Sequence, residues 1–516
     1  MGYDGDDSIP LWGKVIDNSR CIGCHACSTA CKSENEVPLS VDRTFVKYVD
    51  IGTFPEATRN FQVTRCNQCS EPPCAIACPT AAMFQRPDGI VDFDKDSCIG
   101  CKACIAACPY DAIFINPDDH TAEKCNFCAH RVDLGLEPAC VVVCPTEAIR
   151  IGDLRDPDSD VFRLVARDRV QVRRPEKGTR PKLFYRDGHQ STLDPLAARR
   201  PEGGLYLWSE QEPEAKKRAS KQPPPPTGTA AAAMLAYDVP HRVPWDWRVS
   251  LYTWTKGISA GFYLVALALV ALGTISRDDA LWLWWTPLAA GLFLAATGAL
   301  LISDLSRPTR FYYVLIKPQW QSWLVRGAFI ISGFAAVLTL HFGASLLGLE
   351  VPQLALAVAG VPLAVLTAVY TAYLFAQARA RDLWQNPLLP PHFLVQAGLA
   401  GAAALLLVPG GLSTGTASDL SWALAALAGV HVGMVLGEIT LTHPTAHAKQ
   451  AAWQLVRGQY APHFWLSVAL VVVAAGLGAV AGAWDFTPAV AAVAALIGLA
   501  LYEHAYVQSG QSVPLA

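Results

Sequence analysis

The sequence predicts two parts of different fold class: an α+β domain organised by cysteine loops, then an all-α membrane domain of about eight helices. Three observations lead to this prediction. All 16 cysteines lie between Cys21 and Cys144. Long apolar runs begin after about residue 245 and raise the hydrophobic content of the whole chain to 52%. A polar, proline-rich stretch separates the two parts, so one chain is expected to join two domains.

The cysteines fall into four groups of four, with none left over. The first and third groups read C-x2-C-x2-C-x3-C, while the second widens one gap to 4 residues and the fourth widens it to 11. Three groups end in Cys-Pro. The groups are Cys21, Cys24, Cys27, Cys31; Cys66, Cys69, Cys74, Cys78; Cys98, Cys101, Cys104, Cys108; and Cys125, Cys128, Cys140, Cys144.

Three kinds of site use cysteines at such density. A disulfide framework is typical of small secreted modules, but the opening MGYDGDDSIPLWGKV is acidic and has no apolar signal-peptide core. Structural zinc is usually held by two C-x2-C pairs, without a third close cysteine and a distant fourth. The run C-x2-C-x2-C-x3-C-P is the bacterial ferredoxin pattern, in which the fourth cysteine reaches a neighbouring cluster. The pattern therefore predicts a ferredoxin-like domain with four [4Fe–4S] clusters, coupled in pairs.

Residues of about 12–155 resemble the four-cluster electron-transfer subunits of complex iron–sulfur molybdoenzymes, such as formate dehydrogenase, dimethyl sulfoxide reductase and polysulfide reductase. The resemblance implies that the first group pairs with the fourth, the second with the third, and that each pair exchanges its fourth ligands. The implied ligand sets are set 1 (Cys21, Cys24, Cys27, Cys144), set 2 (Cys31, Cys125, Cys128, Cys140), set 3 (Cys66, Cys69, Cys74, Cys108) and set 4 (Cys78, Cys98, Cys101, Cys104).

The predicted domains are a four-cluster domain over 1–155, an extension packed on it over 156–210, a linker over 211–245 and a membrane domain over 246–516. The extension contains the alternating pieces RVQVRR and KLFYRDG, which predict strands. The linker is charged and aperiodic, and its run Pro223–Pro226 is predicted to be a spacer.

Eight apolar runs in the last part have the length of membrane-spanning helices, and charged residues are concentrated between them. One large buried helical core does not explain so many long apolar runs. The predicted spans are 250–275, 281–303, 321–346, 352–378, 391–411, 418–441, 462–483 and 486–506.

This membrane part resembles the polysulfide reductase (NrfD-like) type of anchor. The resemblance rests on YTWTKGISAG (252–261), DLSRPTRFY (304–312) and YLFAQARARDLWQNPLLP (373–390), of which DLSRP is the most specific. It implies electron exchange between an iron–sulfur subunit and membrane quinone, either menaquinone or ubiquinone, without haem. Independently, only His341 and His431 lie well inside the spans, at different depths, so we expect hydrogen-bonded histidines and no shared haem.

A quinone site needs an apolar slot, polar groups near two carbonyl oxygens and a source of protons. Lys256, Asp304, Arg307 and Tyr370 are the candidates, because ionisable or polar groups at the ends of apolar helices are costly. The alternatives are a structural Asp304–Arg307 pair and a Lys256 side chain that extends to the membrane surface.

A second set of polar residues lies further along the membrane part. His431 and Glu438 share a helix face, and Glu503 and His504 end the last span. These residues suggest either a proton path or an interhelical hydrogen-bond set.

Basic residues predict the orientation in the inner membrane. One side of the spans carries Arg242, Arg248, Lys256, Arg307, Arg310, Lys317, Arg326, Arg379, Arg381, Lys449 and Arg457, and the other carries Arg277. The positive-inside rule then places the cluster domain on the cytoplasmic side.

The chain contains no phosphate-binding glycine loop, nucleophile elbow or HExxH motif. We therefore expect substrate chemistry in a partner subunit of the molybdenum or tungsten bis-pterin class, with formate dehydrogenase first and sulfur-oxyanion enzymes next. Formate dehydrogenase is favoured because GIVDFDKDSCIGCKACIAACPYDAIFINPD is similar to its beta-type subunits. The alternatives are a subunit of a nickel–iron hydrogenase or of an alternative quinol-oxidising complex, and a non-redox assembly or anchoring protein with structural clusters. The expected partners include the lipid bilayer and quinone, and no nucleic acid.

Overall fold

The structure, a computed structural model, describes residues 8–199, 233–410, 412–480 and 486–516, with the backbone alone over 350–354. Contacts divide the chain into two compact units. We call the first the cluster unit; it contains the chain up to Pro244 together with Ala378–Arg381 and Val513–Ala516. The second, the membrane unit, contains Trp245–Gln377 and Asp382–Ser512. The predicted spacer Pro223–Pro226 and most of the predicted linker lie outside the described residues.

The described strands of the cluster unit are two to eight residues long, and the longer ones carry runs of consecutive buried residues, such as 13–17 and 44–47, as expected for strands covered on both faces. They are β1 (Trp12–Asp17), β2 (Thr44–Ile51), β3 (Thr58–Arg65), β4 (Met83–Gln85), β5 (Val91–Phe93), β6 (Ile113–Ile115), β7 (Ala122–Lys124), β8 (Ile149–Asp153), β9 (Val170–Gln171), β10 (Leu183–Arg186) and β11 (Met234–Tyr237).

These strands form four sheets. The largest has the order β8-β1-β10-β9, in which β1 runs parallel to β10 and antiparallel to β8. A second sheet has the order β11-β2-β3, and β4–β5 and β6–β7 are separate hairpins. Short helices lie between the strands: Ala26–Glu34, Pro73–Ala77, Ala103–Ala107, Ala129–Val132, Ala139–Val142, Asp160–Arg167 and Gln190–Leu193. This architecture confirms the predicted ferredoxin-like α+β class.

Two segments after the cysteine region complete these sheets. RVQVRR and KLFYRDG contain β9 and β10, so the extension supplies half of the four-stranded sheet. The end of the predicted linker is also a strand, because Met234–Tyr237 pairs antiparallel with β2. The sequence did not predict this strand, because it has only four residues and follows a charged, proline-rich stretch. Such a short strand depends on pairing with its neighbour for stability.

The membrane unit contains eight described helices that are long and apolar enough to cross a membrane. Numbered as membrane helices one to eight, they are Trp247–Ala271, Leu281–Asp304, Trp323–Leu346, Ala355–Gln377, Leu389–Leu406, Thr414–Thr440, Ala461–Ala479 and Thr487–Gln511. This confirms the predicted number of spans. The fourth helix begins earlier, at Glu350, and the second begins with a π-turn over Leu281–Trp285.

The membrane helices pack as two groups of four, helices one to four and helices five to eight. Between the groups, the fourth helix packs against the fifth, the first against the eighth and, most extensively, the first against the fifth. Small residues permit this contact between the groups. A Cβ added at Gly261 would lie 1.7 Å from the carbonyl oxygen of Ala397, so only glycine allows this approach. A short helix, Ala446–Val456, precedes the seventh membrane helix and begins with a Thr445 cap whose hydroxyl accepts a hydrogen bond from the Ala448 amide (3.1 Å).

Candidate functional site

The four cysteine groups share a backbone feature: the residue before the second cysteine of each group is left-handed. Gly23, Gln68, Gly100 and Phe127 have φ values of 70°, 47°, 70° and 66°. Such turns direct backbone N–H groups towards a concavity that suits an anion. At Gly23 an added Cβ would also lie 2.3 Å from the Phe61 ring, so space requires glycine there and the left-handed backbone favours it.

Two cavities in the cluster unit are each lined by four cysteines from distant parts of the chain. One is surrounded by Cys21, Cys24, Cys27 and Cys144, the members of set 1. The other is surrounded by Cys78, Cys98, Cys101 and Cys104, the members of set 4. In both, the distant fourth cysteine faces the three close ones, which is the arrangement that the resemblance implies.

Sets 2 and 3 are also brought together. The Cys31 thiol is close enough to Cys125, Cys140 and Cys128 for their charges to act on it. The Cys74 thiol is likewise close enough to Cys108, Cys66 and Cys69 for their charges to act on it. All eight of these cysteines are buried.

The four sets follow one another in space. Cys27 of set 1 neighbours Cys140 of set 2, and Cys74 of set 3 neighbours Cys104 of set 4. Lys124 lies close enough to act on thiols of both set 2 and set 3. The two end sets reach the surface, because Cys24 is exposed and Cys101 is partly exposed. The order is therefore 1-2-3-4, with the inner sets shielded from water.

Burial dominates the electrostatics of these thiols. It raises the pKa of Cys31 and of Cys69 to about 12, and neighbouring thiols add to the effect. Cys125 is the exception: burial acts to raise its pKa, but Lys14 and Arg65 outweigh burial and lower it. Most of these sulfurs therefore need a strongly positive partner before they can ionise.

The donor set fits an iron–sulfur cluster better than a single ion. Among the described residues, no three histidine, cysteine or carboxylate side chains converge closely enough to hold one metal ion. The cysteines surround cavities instead, and backbone amides donate to their sulfurs: Met83 to Cys78 (3.4 Å), Ala122 to Cys98 (3.4 Å) and Ala148 to Cys144 (3.2 Å). Hydrogen bonds to sulfur and shielding from solvent are the features by which proteins tune such clusters.

In the membrane unit, the structure brings together Lys256 and Tyr370. Lys256 is fully buried, and its Nζ donates to the Ala368 carbonyl (2.8 Å) and to Thr371 Oγ1 (2.7 Å). The centroid of the Tyr370 ring lies 5.1 Å from the ammonium. The alternative in which Lys256 extends to the membrane surface is therefore wrong, because nearby polar groups satisfy the ammonium inside the bundle.

The sequence analysis missed Tyr252, one helical turn before Lys256. Its hydroxyl is buried and has no hydrogen-bond partner among the described residues. Tyr370, Glu503 and Asp304 are the ionisable groups that act on it. Asp304 is 7% exposed at the end of the second helix, while Arg307 is half-buried in the next turn. The hydrogen bonds of Lys256 go to the fourth membrane helix and not to Arg307.

A second polar group lies inside helices five to eight. His392 Nδ1 is 2.9 Å from Glu438 Oε1, and His392 Nε2 is 2.8 Å from His431 Nδ1. The Tyr502 hydroxyl donates to the other Glu438 oxygen (2.6 Å). His431 and Glu438 are thus linked as predicted for one helix face, but through His392, which the sequence analysis did not identify.

His341 differs from the prediction. It is fully buried, yet neither ring nitrogen has a hydrogen-bond partner among the described residues. It packs against Trp282 at 4.5 Å between ring centroids, so an aromatic cage holds the imidazole instead of a polar partner. The expectation of a hydrogen-bonded helix histidine is therefore wrong for His341 and right for His431.

Comparison with known families accounts for both units. Residues 57–154 match the 4Fe-4S dicluster domain. Residues 238–513, more than half of the chain, match the family described as Polysulphide reductase, NrfD.

This protein belongs to the NrfD polysulphide reductase family.

Curated proteins similar to this chain align with its N-terminal, cysteine-rich part. A tetrathionate reductase subunit of Salmonella typhimurium is 42% identical over 203 residues, which are 39% of this chain and 80% of that protein. A polysulfide reductase subunit of Wolinella succinogenes is 44% identical over 176 residues, 34% of this chain and 92% of that protein. Protein NrfC of Escherichia coli is 43% identical over 176 residues, 34% of this chain and 79% of that protein.

This NrfD-family protein is therefore an iron–sulfur electron-transfer protein of an oxidoreductase complex, joined to a multi-span membrane anchor.

Proposed function

We propose that the chain passes electrons through four [4Fe–4S] clusters between a catalytic subunit and the membrane quinone pool. In this proposal all 16 cysteines are ligands, in sets 1 to 4. When bound, each cluster supplies one-electron chemistry. The protein supplies the ligand spacing, the N–H···S hydrogen bonds and the exclusion of water.

The observation that carries the proposal is the line of four cysteine sets with buried inner members and surface-reaching ends. A structural role for clusters does not require such a line, because each cluster would stabilise its own loop independently. A line with accessible ends provides an entry and an exit. This argument favours the electron-transfer function over the assembly or anchoring alternative.

For the quinone site we propose Tyr252 beside the predicted Lys256, Asp304 and Tyr370, with Arg307 in the following turn. Among the described residues no hydrogen bond of good geometry reaches the Tyr252 hydroxyl, although Thr371 lies close enough to act on it, so the hydroxyl is suited to donate to a quinone carbonyl oxygen. Reduction of a quinone to a quinol consumes two electrons and two protons. Lys256, with Glu503 close enough to act on it, is suited to hold one of those protons.

We propose a catalytic partner of the molybdenum or tungsten bis-pterin class. The relatives named for tetrathionate and polysulfide reductases support a sulfur-compound enzyme as that partner. Formate dehydrogenase, the first expectation from the sequence, stays a prediction, as do the hydrogenase and quinol-oxidising alternatives.

We also propose that the cluster domain lies on the cytoplasmic side of the inner membrane. Burial removes Lys256 from the set of loop charges, but the remaining basic residues keep the same bias towards one side.

Elemental analysis of the complex, purified anaerobically from membranes, tests the proposal. We expect about sixteen irons and as many acid-labile sulfides per chain, together with molybdenum or tungsten. Nickel would indicate the hydrogenase alternative. Eight irons or fewer would contradict the four-cluster assignment, and a full set of clusters that quinol cannot reduce and quinone cannot oxidise would contradict the quinone role.

A further inference from the structure

Arg65, the last residue of β3, is buried without an acidic partner. Only 1% of the residue is exposed. Within the described part of the chain, no carboxylate lies within ion-pair distance of its guanidinium, and its Nε and Nη2 atoms have no hydrogen-bond partner. A buried charge in this position is strongly destabilising unless another negative group compensates it.

The groups around Arg65 are cysteine sulfurs. Its Nη1 donates to Cys140 Sγ at 3.0 Å. Cys27 and Cys125 are the other groups whose charges act most strongly on it. Cys27 belongs to set 1, whereas Cys125 and Cys140 belong to set 2. Arg65 thus lies between the two sets.

Arg43 shows the usual arrangement in the same unit. It is also buried, but its Nε donates to Glu123 Oε1 at 2.7 Å and its Nη1 donates to Asn35 Oδ1 at 2.6 Å. Its charge is neutralised by a carboxylate. The same unit thus pairs one buried arginine with a carboxylate, whereas no carboxylate from the described residues pairs with Arg65.

We propose that Arg65 sets the reduction potentials of two neighbouring clusters, raising that of set 2 most and that of set 1 less. The inference rests on the cluster assignment made above. A cluster held by four thiolates is an anion and gains a further negative charge on reduction, so a fixed cation nearby stabilises the reduced state. The N–H···S hydrogen bond to Cys140 acts in the same direction. Arg65 directly precedes Cys66 of set 3 in the chain, but the cysteines that act most strongly on its guanidinium belong to sets 1 and 2.

The test is a redox titration of the intact complex, followed by the electron paramagnetic resonance signals of the clusters. Arg65→Met keeps the aliphatic stem and removes the charge, and Arg65→Lys keeps a charge. Arg59→Met is the matched control, because Arg59 lies on the same strand but is exposed and paired with Asp50 (2.7 Å).

In Arg65→Met we expect one cluster with a clearly lower midpoint potential, a second lowered less, and two unchanged. Arg65→Lys should give a smaller shift, and Arg59→Met none. Unchanged potentials in Arg65→Met with the full iron content would overturn the inference. Equal shifts in the Lys and Met variants would also overturn it, because charge would then not be the cause.

A second measurement does not depend on whether Arg65→Met assembles. In the wild-type complex labelled with ¹⁵N-arginine, pulsed electron resonance should detect nitrogen coupled to one reduced cluster, and Arg65→Lys should abolish that coupling. Absence of the coupling in the wild type contradicts the inference. Iron content is determined on every sample, so failure of the four-cluster assignment is distinguished from failure of the Arg65 role.

Discussion

In the cluster unit, Arg65 and Lys14 are buried beside cysteine sulfurs, whereas in the membrane unit Lys256 is buried near Glu503 and His392 is bonded to Glu438. The first unit places cationic side chains near groups proposed to gain electrons. In the second unit His392 contacts Glu438 directly, and Lys256 lies close enough for the charge of Glu503 to act on it.

This difference has a physical meaning. A fixed cation shifts the energy of an added electron without taking up a proton, which suits one-electron transfer. A buried acid–base pair can exchange a proton within the pair at small cost, because the net charge of the site does not change. The two units would thus supply the electrons and the protons that the proposed quinone reduction requires.

The largest effect is expected when an inner cluster set is broken. Cys74→Ser removes a proposed ligand of set 3, so we expect loss of about four of the sixteen proposed irons and loss of electron flow to quinone. The measurement is iron content together with quinone-linked reduction of the acceptor by the complex.

Ser70→Ala is the control for Cys74→Ser, since it changes a residue of the same loop whose hydroxyl has no partner among the described residues. It should retain every iron. Full iron content and normal electron flow in Cys74→Ser would remove set 3 from the proposed line.

Much of the cluster unit was predictable because its ligands follow a local spacing rule. The eight spans were predictable because hydrophobicity is also a local property. Arg65, Tyr252 and His392 were not predicted, because each is a single polar residue without periodicity. Their importance comes from neighbours that folding brings from distant parts of the chain: Cys140 to Arg65, Asp304 to Tyr252 and Glu438 to His392.

The proposed proton-holding role of the membrane unit can be tested at Lys256. Lys256→Met removes the ammonium while keeping a similar length, and we expect quinone-linked turnover to fall about 100-fold, the lower range for losing an acid–base group. Reduction of the clusters from the catalytic side should be unchanged. Stopped-flow absorbance separates the two steps.

Lys449→Met is the matched control, because Lys449 is exposed on the short helix Ala446–Val456. It should behave as wild type. If Lys256→Met retains full turnover, Lys256 has only a structural part in the membrane unit.

His241, in the cluster unit, differs from the buried cations of that unit, because its charge changes over an accessible pH range. His241 Nε2 is 3.0 Å from Asp238 Oδ2, and its Nδ1 bonds Asp111, with the Phe45 ring alongside and Arg381 acting on Asp111. Burial acts to lower the pKa of His241, but the two carboxylates outweigh it and raise the pKa to about 10. For Asp111 the two effects have the opposite signs. Burial acts to raise its pKa, but the neighbouring His241 has the larger effect and lowers the pKa.

The raised pKa of His241 determines how the stability of the cluster unit depends on pH. The contribution of His241 to stability is complete below its usual pKa of 6.5 and is lost as the pH rises towards about 10. Within that interval the loss is at most about 1.4 kcal/mol per pH unit. The depressed pKa of Asp111 means that its own contribution is lost as the pH falls below its usual value of 3.8.

His241→Gln should therefore lower the thermal unfolding midpoint of the full chain in detergent near pH 6, with a difference from wild type that shrinks towards pH 10. His130→Gln is the control, since His130 forms a comparable contact with Glu34 (2.8 Å) at an exposed position. A constant difference for His241→Gln across the pH range would show that its packing, and not its charge, matters.

The smallest effect is expected from a steric change next to the proposed quinone site. Gly327, on the third membrane helix, faces Tyr370, and an added Cβ would lie 2.4 Å from a carbon of its ring. Gly327→Ala should displace that ring, destabilise the membrane unit by about 1–3 kcal/mol and weaken quinone binding. Gly343→Ala on the same helix meets no atom within 4 Å, so it should leave both properties unchanged. Equal quinone affinity in the two variants would mean that Tyr370 does not line the site, and Tyr252, Lys256 and Asp304 would then define it without the fourth helix.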